Sequence, residues 1–225
     1  MLYSDVITEE TLQLLNRLMS DERMSSFYLV GGTALSMYLG HRQSIDLDLF
    51  TTNDFDSRQM MVYLSDRYGF KESFIRNNTL KGKIGKVDVD LIAYNYPMIK
   101  PLHVENGLRL AGMEDIIAMK LSAITDNGTR LKDFVDIAFL STKFSFNSML
   151  SFYLQKFQGA NELSVFKALT YFDDMQNDII SLKNGIYDWK LIDKRLHEMQ
   201  KHPELLFFKQ YPVNIPDNKI GHKLR

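Results

Sequence analysis

The chain has 225 residues, of which 45% are hydrophobic and 24% charged, and its formal net charge is −1. This length and composition are typical of a globular protein with one domain or two closely packed ones. The lack of cysteine excludes disulfides and thiolate metal sites, no apolar run approaches the ~18 residues of a membrane span, and the balanced charge excludes a whole-protein field that attracts nucleic acid.

The first ten residues, MLYSDVITEE, are acidic, whereas a secretory signal peptide would be basic and then apolar. We therefore expect a cytoplasmic protein without membrane contact. In residues 8–20, Leu12, Leu15 and Leu18 form one stripe of a predicted helix, with Thr8 as its N-cap.

Residues 26–51, SFYLVGGTALSMYLGHRQSIDLDLFT, are the stretch around which the chain is organised. The apolar run at 27–30 predicts a short buried strand that ends at Gly31 and Gly32. Thr33 is the predicted N-cap of the short helix that follows. Free backbone N–H groups at such a helix start attract phosphate, and glycine lets the phosphate approach closely.

The next segment predicts a second strand with one acidic face, because Ile45, Leu47 and Leu49 alternate with Asp46 and Asp48. Two carboxylates so placed repel each other unless a cation lies between them, and Mg²⁺ takes one or two carboxylates together with substrate phosphates. Taken singly, these features also fit a solvated strand face and an ordinary turn. Their order in one segment predicts a metal-dependent nucleotide site.

A helix is predicted at 57–68, and two strands in 70–94 are predicted to join through Asn77-Asn78 and the region 81–83. In the second of these strands, Asp88 and Asp90 share a face. If this strand lies beside the first acidic strand, one of the two carboxylates can reach the metal ions. We choose Asp90, because Asp88 lies nearer the solvent end and is typical of an exposed strand residue.

A further helix is predicted from Met113, and Lys120 falls on its apolar stripe with Ile116 and Ile124. Two explanations stay open: the side chain reaches the surface along its apolar stem, or it points at a triphosphate or a carboxylate-metal cluster.

The remainder of the chain predicts helices. Asp133 and Asp136 share one face of the first of these helices. Beyond it, residues 141–225 are predicted to form a helical lobe with a polar, basic tail, and aromatic residues at helical spacing are interpreted as its core. The predicted helices of this lobe lie at 147–157, 161–176 and 188–200.

Residues 31–50, GGTALSMYLGHRQSIDLDLF, resemble the first signature of the nucleotidyltransferases of the polymerase-β superfamily. The form Gly-His-Arg-x-Ser-x-Asp-x-Asp-Leu-Phe is most similar to the AbiEii/AbiGii toxin family of bacterial abortive-infection systems. The resemblance covers roughly residues 20–140. It implies an α+β fold, in which a polymerase-β-like nucleotidyltransferase core at 1–140, with a mixed β-sheet flanked by helices, precedes the helical C-terminal lobe at 141–225.

The implied activity is transfer of a nucleoside monophosphate from a nucleoside triphosphate (ATP, GTP or CTP) to an acceptor hydroxyl, with two Mg²⁺ ions. Asp46 and Asp48 would hold both ions, and Asp90, followed by Leu-Ile-Ala as in the superfamily, would hold the catalytic ion and draw the acceptor proton. The resemblance gives Lys120 contact with phosphate or acceptor, and Asp133 a supporting role as its ion-pair partner. The other expected phosphate contacts are Gly31, Gly32, Thr33, Arg42 and Ser44.

The resemblance also implies the toxin of a toxin–antitoxin or phage-defence pair, with a cognate antitoxin as partner and transfer RNA as acceptor. Small molecules and protein hydroxyls stay open as acceptors. A basic surface made by four residues is compatible with RNA binding, although a solvated strand rim explains the same charges. These residues are Lys81, Lys83, Lys86 and Arg109.

Two rival functions are weighed against this one. A phosphatase of the haloacid dehalogenase type is disfavoured, because that family has glycine and threonine after its second aspartate, whereas Leu49 and Phe50 follow Asp48 here. The alternative is a non-catalytic nucleotide-binding or partner-binding protein on the same fold.

Overall fold

The computed structural model describes residues 1–214, and the end of the predicted basic tail, with Lys219, His222, Lys223 and Arg225, lies outside the described residues. The chain forms two compact units. Unit 1 comprises Met1–Gly40 and Ser44–Met113, and unit 2 comprises His41–Gln43 and Glu114–Arg225. In the part that the structure describes, no helix is long and apolar enough to cross a membrane.

Unit 1 is built on a seven-stranded mixed sheet with the strand order β3-β4-β5-β2-β1-β7-β6. The neighbours β2 and β5 are parallel, as are β1 and β7, and the other neighbouring pairs are antiparallel. The strands are β1 (Tyr28–Leu29), β2 (Leu47–Thr51), β3 (Lys71–Arg76), β4 (Thr79–Ile84), β5 (Val87–Ala93), β6 (His103–Glu105) and β7 (Leu108–Leu110). The mixed sheet confirms the predicted fold class.

Three α-helices belong to unit 1, namely α1 (Glu9–Met19), α2 (Gly31–Leu39) and α3 (Ser57–Tyr68), together with short 3-10 helices at Ser4–Val6 and Glu22–Met24. The Thr8 hydroxyl accepts from the Thr11 N–H and caps α1 as predicted. The prediction for α2 was wrong in one detail, because the helix begins at Gly31 and its N-cap is Val30. Thr33 therefore lies inside the helix, and its hydroxyl is directed to the chain before β2.

The segment 70–94 holds three strands, where two were predicted. A turn at Asn78, with φ +60°, joins β3 to β4, and a second turn at Gly85, also with φ +60°, joins β4 to β5. Residues 81–83 consequently lie within β4. Glycine at the second turn adopts the left-handed conformation at little cost, and this turn was missed in the sequence.

Unit 2 contains α4 (Met113–Asp126) from its second residue, α5 (Leu131–Leu140), α6 (Phe146–Lys156), α7 (Glu162–Ala168) and α8 (Trp189–Lys201). The helices predicted at 147–157 and 188–200 are α6 and α8. The helix predicted at 161–176 ends at Ala168, since the following segment, with threonine and two consecutive aspartates, favours turns. The extent of the catalytic domain, expected at 1–140, stays a prediction.

Candidate functional site

Two of the predicted carboxylates lie directly opposite each other in unit 1. Asp48 on β2 and Asp90 on β5 are register partners, and both side chains are half-buried. Partners on neighbouring strands point to the same face and stand about 5 Å apart. Two unit charges at about 5 Å repel by about 3 kcal/mol at an effective dielectric constant of about 20, so this pair favours a cation.

The start of α2 lies against Asp48. Gly31 has φ +69°, and a Cβ added to it would overlap the Asp48 carboxylate, with the Asp48 Cγ only 3.0 Å away. The first N–H groups of a helix have no partner within the helix and form an anion-binding end. Gly31 and Gly32, the first two residues of α2, therefore bring this end to the acidic pair.

Gly31→Ala is expected to cost about 1–2 kcal/mol in backbone strain and, because the methyl group displaces the Asp48 carboxylate, to abolish nucleotide transfer. Gly69→Ala is the matched control, since Gly69 has the same φ of +69° and no atom within 4 Å of an added Cβ. Urea unfolding should show destabilisation of both variants, at least as large for Gly31→Ala because of its overlap with Asp48, and a transfer assay should show loss of activity only for Gly31→Ala. Equal activity of the two variants would contradict the close approach of Gly31 to Asp48.

The chain before β2 is tied to α2 by hydroxyl groups. The buried Thr33 hydroxyl donates to the Asp46 carbonyl, and its oxygen lies 2.8 Å from the Ser44 Oγ. These bonds position the Asp46 backbone, while the residue itself is exposed and precedes the first residue of β2. The phosphate contacts expected of Thr33 and Ser44 stay predictions.

Two carboxylates of unit 1 fit the ligand preferences of Mg²⁺. Asp48 and Asp90 provide adjacent hard oxygen ligands on one face, beside an anion-binding helix start, which suits an ion shared with substrate phosphates. Within residues 1–214, no three histidine, aspartate or glutamate side chains are grouped closely enough to hold a metal ion. The fit to Mg²⁺ consequently rests on the Asp48–Asp90 pair, and Asp46 as a third ligand stays a prediction.

Lys120 forms a buried ion-pair cluster in unit 2. Its Nζ lies 2.6 Å from the Asp133 Oδ1 and 2.7 Å from the Asp136 Oδ2, and all three side chains are buried. The ammonium group therefore does not reach the surface. The Lys120–Asp133 pair expected from the resemblance is present, and a role of either residue towards substrate stays a prediction.

The same Asp136 carboxylate binds His41 and Arg42. The Arg42 Nε donates to the Asp136 Oδ1 at 2.7 Å and its Nη2 to the Oδ2 at 2.9 Å, and the His41 Nε2 lies 2.7 Å from the Oδ1. The Arg42 side chain is 3% exposed, so its guanidinium is a buried partner of Asp136. Contact of Arg42 with phosphate stays a prediction.

Sequence reasoning missed Asp136 and His41 as members of this cluster. The available signals were the spacing of Asp133 and Asp136 and the Gly-His-Arg element of residues 40–42. The distance along the chain between Arg42 and Asp136 hid their pairing.

Burial and oppositely charged neighbours act in opposite directions on the pKa values within the cluster. Burial alone would raise the pKa of Asp136, but Arg42, Lys120 and His41 outweigh it and hold that pKa well below its usual range. Burial opposes the charge of Lys120 as well, and Asp133 with Asp136 nevertheless raises its pKa. The carboxylate and the ammonium group are both charged at neutral pH.

His41 has a lowered pKa, since burial disfavours its charged form more than Asp136 favours it. Its Nδ1 is buried and has no hydrogen-bond partner among the described residues. The neutral ring with hydrogen on Nε2 explains both observations, because a proton on Nδ1 would be a buried donor without an acceptor.

We expect the free energy of unfolding to decrease as the pH falls below about 6.5, because the unfolded chain then protonates His41 and the folded protein does not. One such proton gives a slope of at most about 1.4 kcal/mol per pH unit. His41→Gln keeps a donor for Asp136 and removes the titration, so it should flatten this slope. Urea unfolding at several pH values measures it, and equal slopes in both proteins would contradict the prediction.

Three of the four residues of the basic surface suggested by the sequence have partners within unit 1, and a role of this surface in RNA binding stays a prediction. Arg109 donates three hydrogen bonds to the carbonyl groups of Phe27, Met19 and Met24, at 2.9–3.0 Å. Lys81 and Lys83 form ion pairs with Asp90 and Asp88 across the β4–β5 ladder.

Known proteins are similar to this chain in sequence and in fold. A sequence model described as nucleotidyl transferase AbiEii toxin, type IV TA system, matches residues 13–81 and 86–210. An uncharacterized protein of Aquifex aeolicus (strain VF5), aq_aa25, is 28% identical over 179 residues, which cover 77% of this chain and 86% of that protein.

Two solved structures are similar at low identity. JHP933 from Helicobacter pylori has a TM-score of 0.55 and 20% identity, with 88% of this chain and 93% of that chain covered. MenT4, the nucleotidyltransferase toxin Rv2826c from Mycobacterium tuberculosis H37Rv, has a TM-score of 0.54 and 13% identity. The match covers 84% of this chain and 80% of that chain. These likenesses confirm the predicted polymerase-β-like nucleotidyltransferase fold.

Proposed function

Because this chain belongs to the nucleotidyl transferase AbiEii toxin family of type IV toxin–antitoxin systems, we propose that it is a Mg²⁺-dependent enzyme that transfers a nucleoside monophosphate from a nucleoside triphosphate to an acceptor hydroxyl. The family match confirms the resemblance first seen in residues 31–50. The observation that carries the proposal is the register pairing of Asp48 with Asp90 beside the start of α2.

Asp48 and Asp90, joined by Asp46, would hold two Mg²⁺ ions. Bound Mg²⁺ supplies charge stabilisation for the triphosphate and lowers the pKa of the attacking hydroxyl. Asp90 takes the proton of the acceptor hydroxyl, whose oxygen then bonds to the α-phosphorus. The bond between the α-phosphorus and the bridging oxygen breaks, and pyrophosphate leaves.

The remaining proposed roles concern the phosphates. Gly31, Gly32 and Thr33 bind them through the N-terminal end of α2, where the helix dipole favours negative charge. Ser44, Arg42 and Lys120 are proposed as further contacts. Asp133 is proposed to hold Lys120 in position by the ion pair of 2.6 Å, so that the ammonium group keeps one rotamer.

Transfer RNA is the proposed acceptor, with protein hydroxyls and small molecules as the alternatives. The proposed setting is the cytoplasm, where a cognate antitoxin limits the toxin. Support comes from the toxin family of the chain and from the fold shared with MenT4, which is itself a nucleotidyltransferase toxin.

The test incubates the pure protein with total RNA and Mg²⁺ and, in separate reactions, each of four α-labelled nucleoside triphosphates. We expect label on RNA of transfer-RNA size with one preferred triphosphate, and no label when EDTA removes Mg²⁺. Label on added protein would replace RNA as the acceptor.

Two other outcomes would contradict the proposed reaction. Binding of a triphosphate in calorimetry without transfer to any acceptor would favour the non-catalytic alternative. Release of inorganic phosphate without preference for triphosphates would favour a phosphatase.

A further inference from the structure

Three charged residues stand in a row across neighbouring strands of unit 1. Asp90 on β5 is the register partner of Asp48 on β2 and also of Lys81 on β4. Register partners point to the same face of a sheet. The ammonium group of Lys81 donates a hydrogen bond to the Asp90 Oδ2, so a cation of the protein already contacts one carboxylate of the acidic pair.

A second lysine–aspartate ion pair on the same two strands provides a comparison for the Lys81–Asp90 pair. Lys83 contacts Asp88 at 2.7 Å, and the two side chains are 54% and 49% exposed. Lys81 and Asp90 are less exposed, at 41% and 24%. The β2–β5 ladder begins at Leu47 and Val89, so it gives Asp90 a carboxylate neighbour and does not reach Asp88.

The chemistry of the two pairs therefore differs. Lys83 and Asp88 form an ordinary solvated ion pair, which contributes little. Lys81 neutralises one member of two adjacent carboxylates that repel each other, in a partly screened environment where charges interact more strongly. The Asp90 oxygen that accepts from Lys81 is also an oxygen that a divalent cation would use.

We propose that Lys81 is a positioning residue that acts through Asp90: it holds the Asp48–Asp90 pair together before substrate arrives and competes with the divalent cation for the Asp90 carboxylate. This inference rests on the proposed function, since it takes Asp48 and Asp90 as the cation site. Its consequence is that Lys81 raises the cation concentration at which the site is filled.

The test measures Mn²⁺ binding alone, without nucleotide, by isothermal titration calorimetry. Lys81→Met keeps the length of the side chain and removes its charge, so Mn²⁺ should bind roughly twofold to fivefold more tightly, as loss of a partly exposed ion pair implies. Lys81→Arg should restore the weaker binding. Lys83→Met is the matched control and should bind Mn²⁺ like the wild type. The rise in melting temperature on adding Mn²⁺ should be larger for Lys81→Met than for either control.

Asp48→Asn and Asp90→Asn separate this inference from the proposed function. If both abolish Mn²⁺ binding while Lys81→Met binds no more tightly than the wild type, the role of Lys81 is wrong and the cation site stands. The same conclusion follows if Lys83→Met tightens binding as much as Lys81→Met. If neither aspartate variant changes Mn²⁺ binding, the cation site itself is wrong, and the role of Lys81 fails with it.

Discussion

Asp48→Asn is expected to lower the rate of nucleotide transfer on the order of a thousandfold or more, with the fold intact. The substitution keeps the shape of the side chain beside Gly31 but removes one of the two charges that attract the cation. It also removes the repulsion between Asp48 and Asp90, so the melting temperature of the cation-free protein should stay the same or rise. Transfer of labelled nucleotide and thermal unfolding measure the two effects.

Asp88→Asn is the control for this prediction. Asp88 lies two residues from Asp90 on the same strand face, forms its ion pair with Lys83 and is half-exposed. Its variant should retain activity close to that of the wild type. Activity of Asp48→Asn within tenfold of the wild type would exclude the acidic pair as the reaction centre.

Asp136→Asn is expected to lower the free energy of unfolding by about 3–5 kcal/mol. Asp136 is fully buried and accepts from Arg42 and His41 while it pairs with Lys120. Asparagine fills the same volume, so no cavity forms, but it removes the carboxylate that the buried Arg42 and Lys120 share. Urea unfolding monitored by circular dichroism measures the loss.

The control is Glu198→Ala on α8, where the pair with Lys201 is partly exposed and long at 3.8 Å. A partly exposed, long pair of this kind contributes about 0–1 kcal/mol. If Asp136→Asn were as mild as Glu198→Ala, the buried network would contribute little to stability, and water would have to reach it.

The strands of the candidate site could be predicted because their signals are local. The alternation around Asp48 predicted the two faces of β2, although the predicted strand began too early, since Ile45 and Asp46 are exposed and precede its first residue. The solvent end of β5 favoured Asp90 over Asp88. The register then placed Asp90 opposite Asp48. Periodicity of this kind reports which side chains share a face, and it needs no knowledge of distant contacts.

The partners of charged residues could not be predicted, because they depend on contacts far apart in the chain. Arg42 lies two residues after Gly40 in a predicted phosphate-binding signature, yet its guanidinium pairs with Asp136. Arg109 was grouped with three lysines in a basic surface, yet it binds three carbonyl groups. The sequence alone does not say whether a charged side chain interacts with a ligand, with water or with another side chain.

The segment His41–Gln43 belongs to unit 2 although both of its flanks belong to unit 1. Arg42 and Asp136 are 94 positions apart in the chain. During synthesis, His41 and Arg42 are therefore made well before Asp136, the carboxylate with which they pair. Such a distant contact closes late and slows folding. A fragment that stops at residue 113 would keep a guanidinium without its counter-ion, so we expect dissection of the chain at that point to yield pieces that do not fold independently.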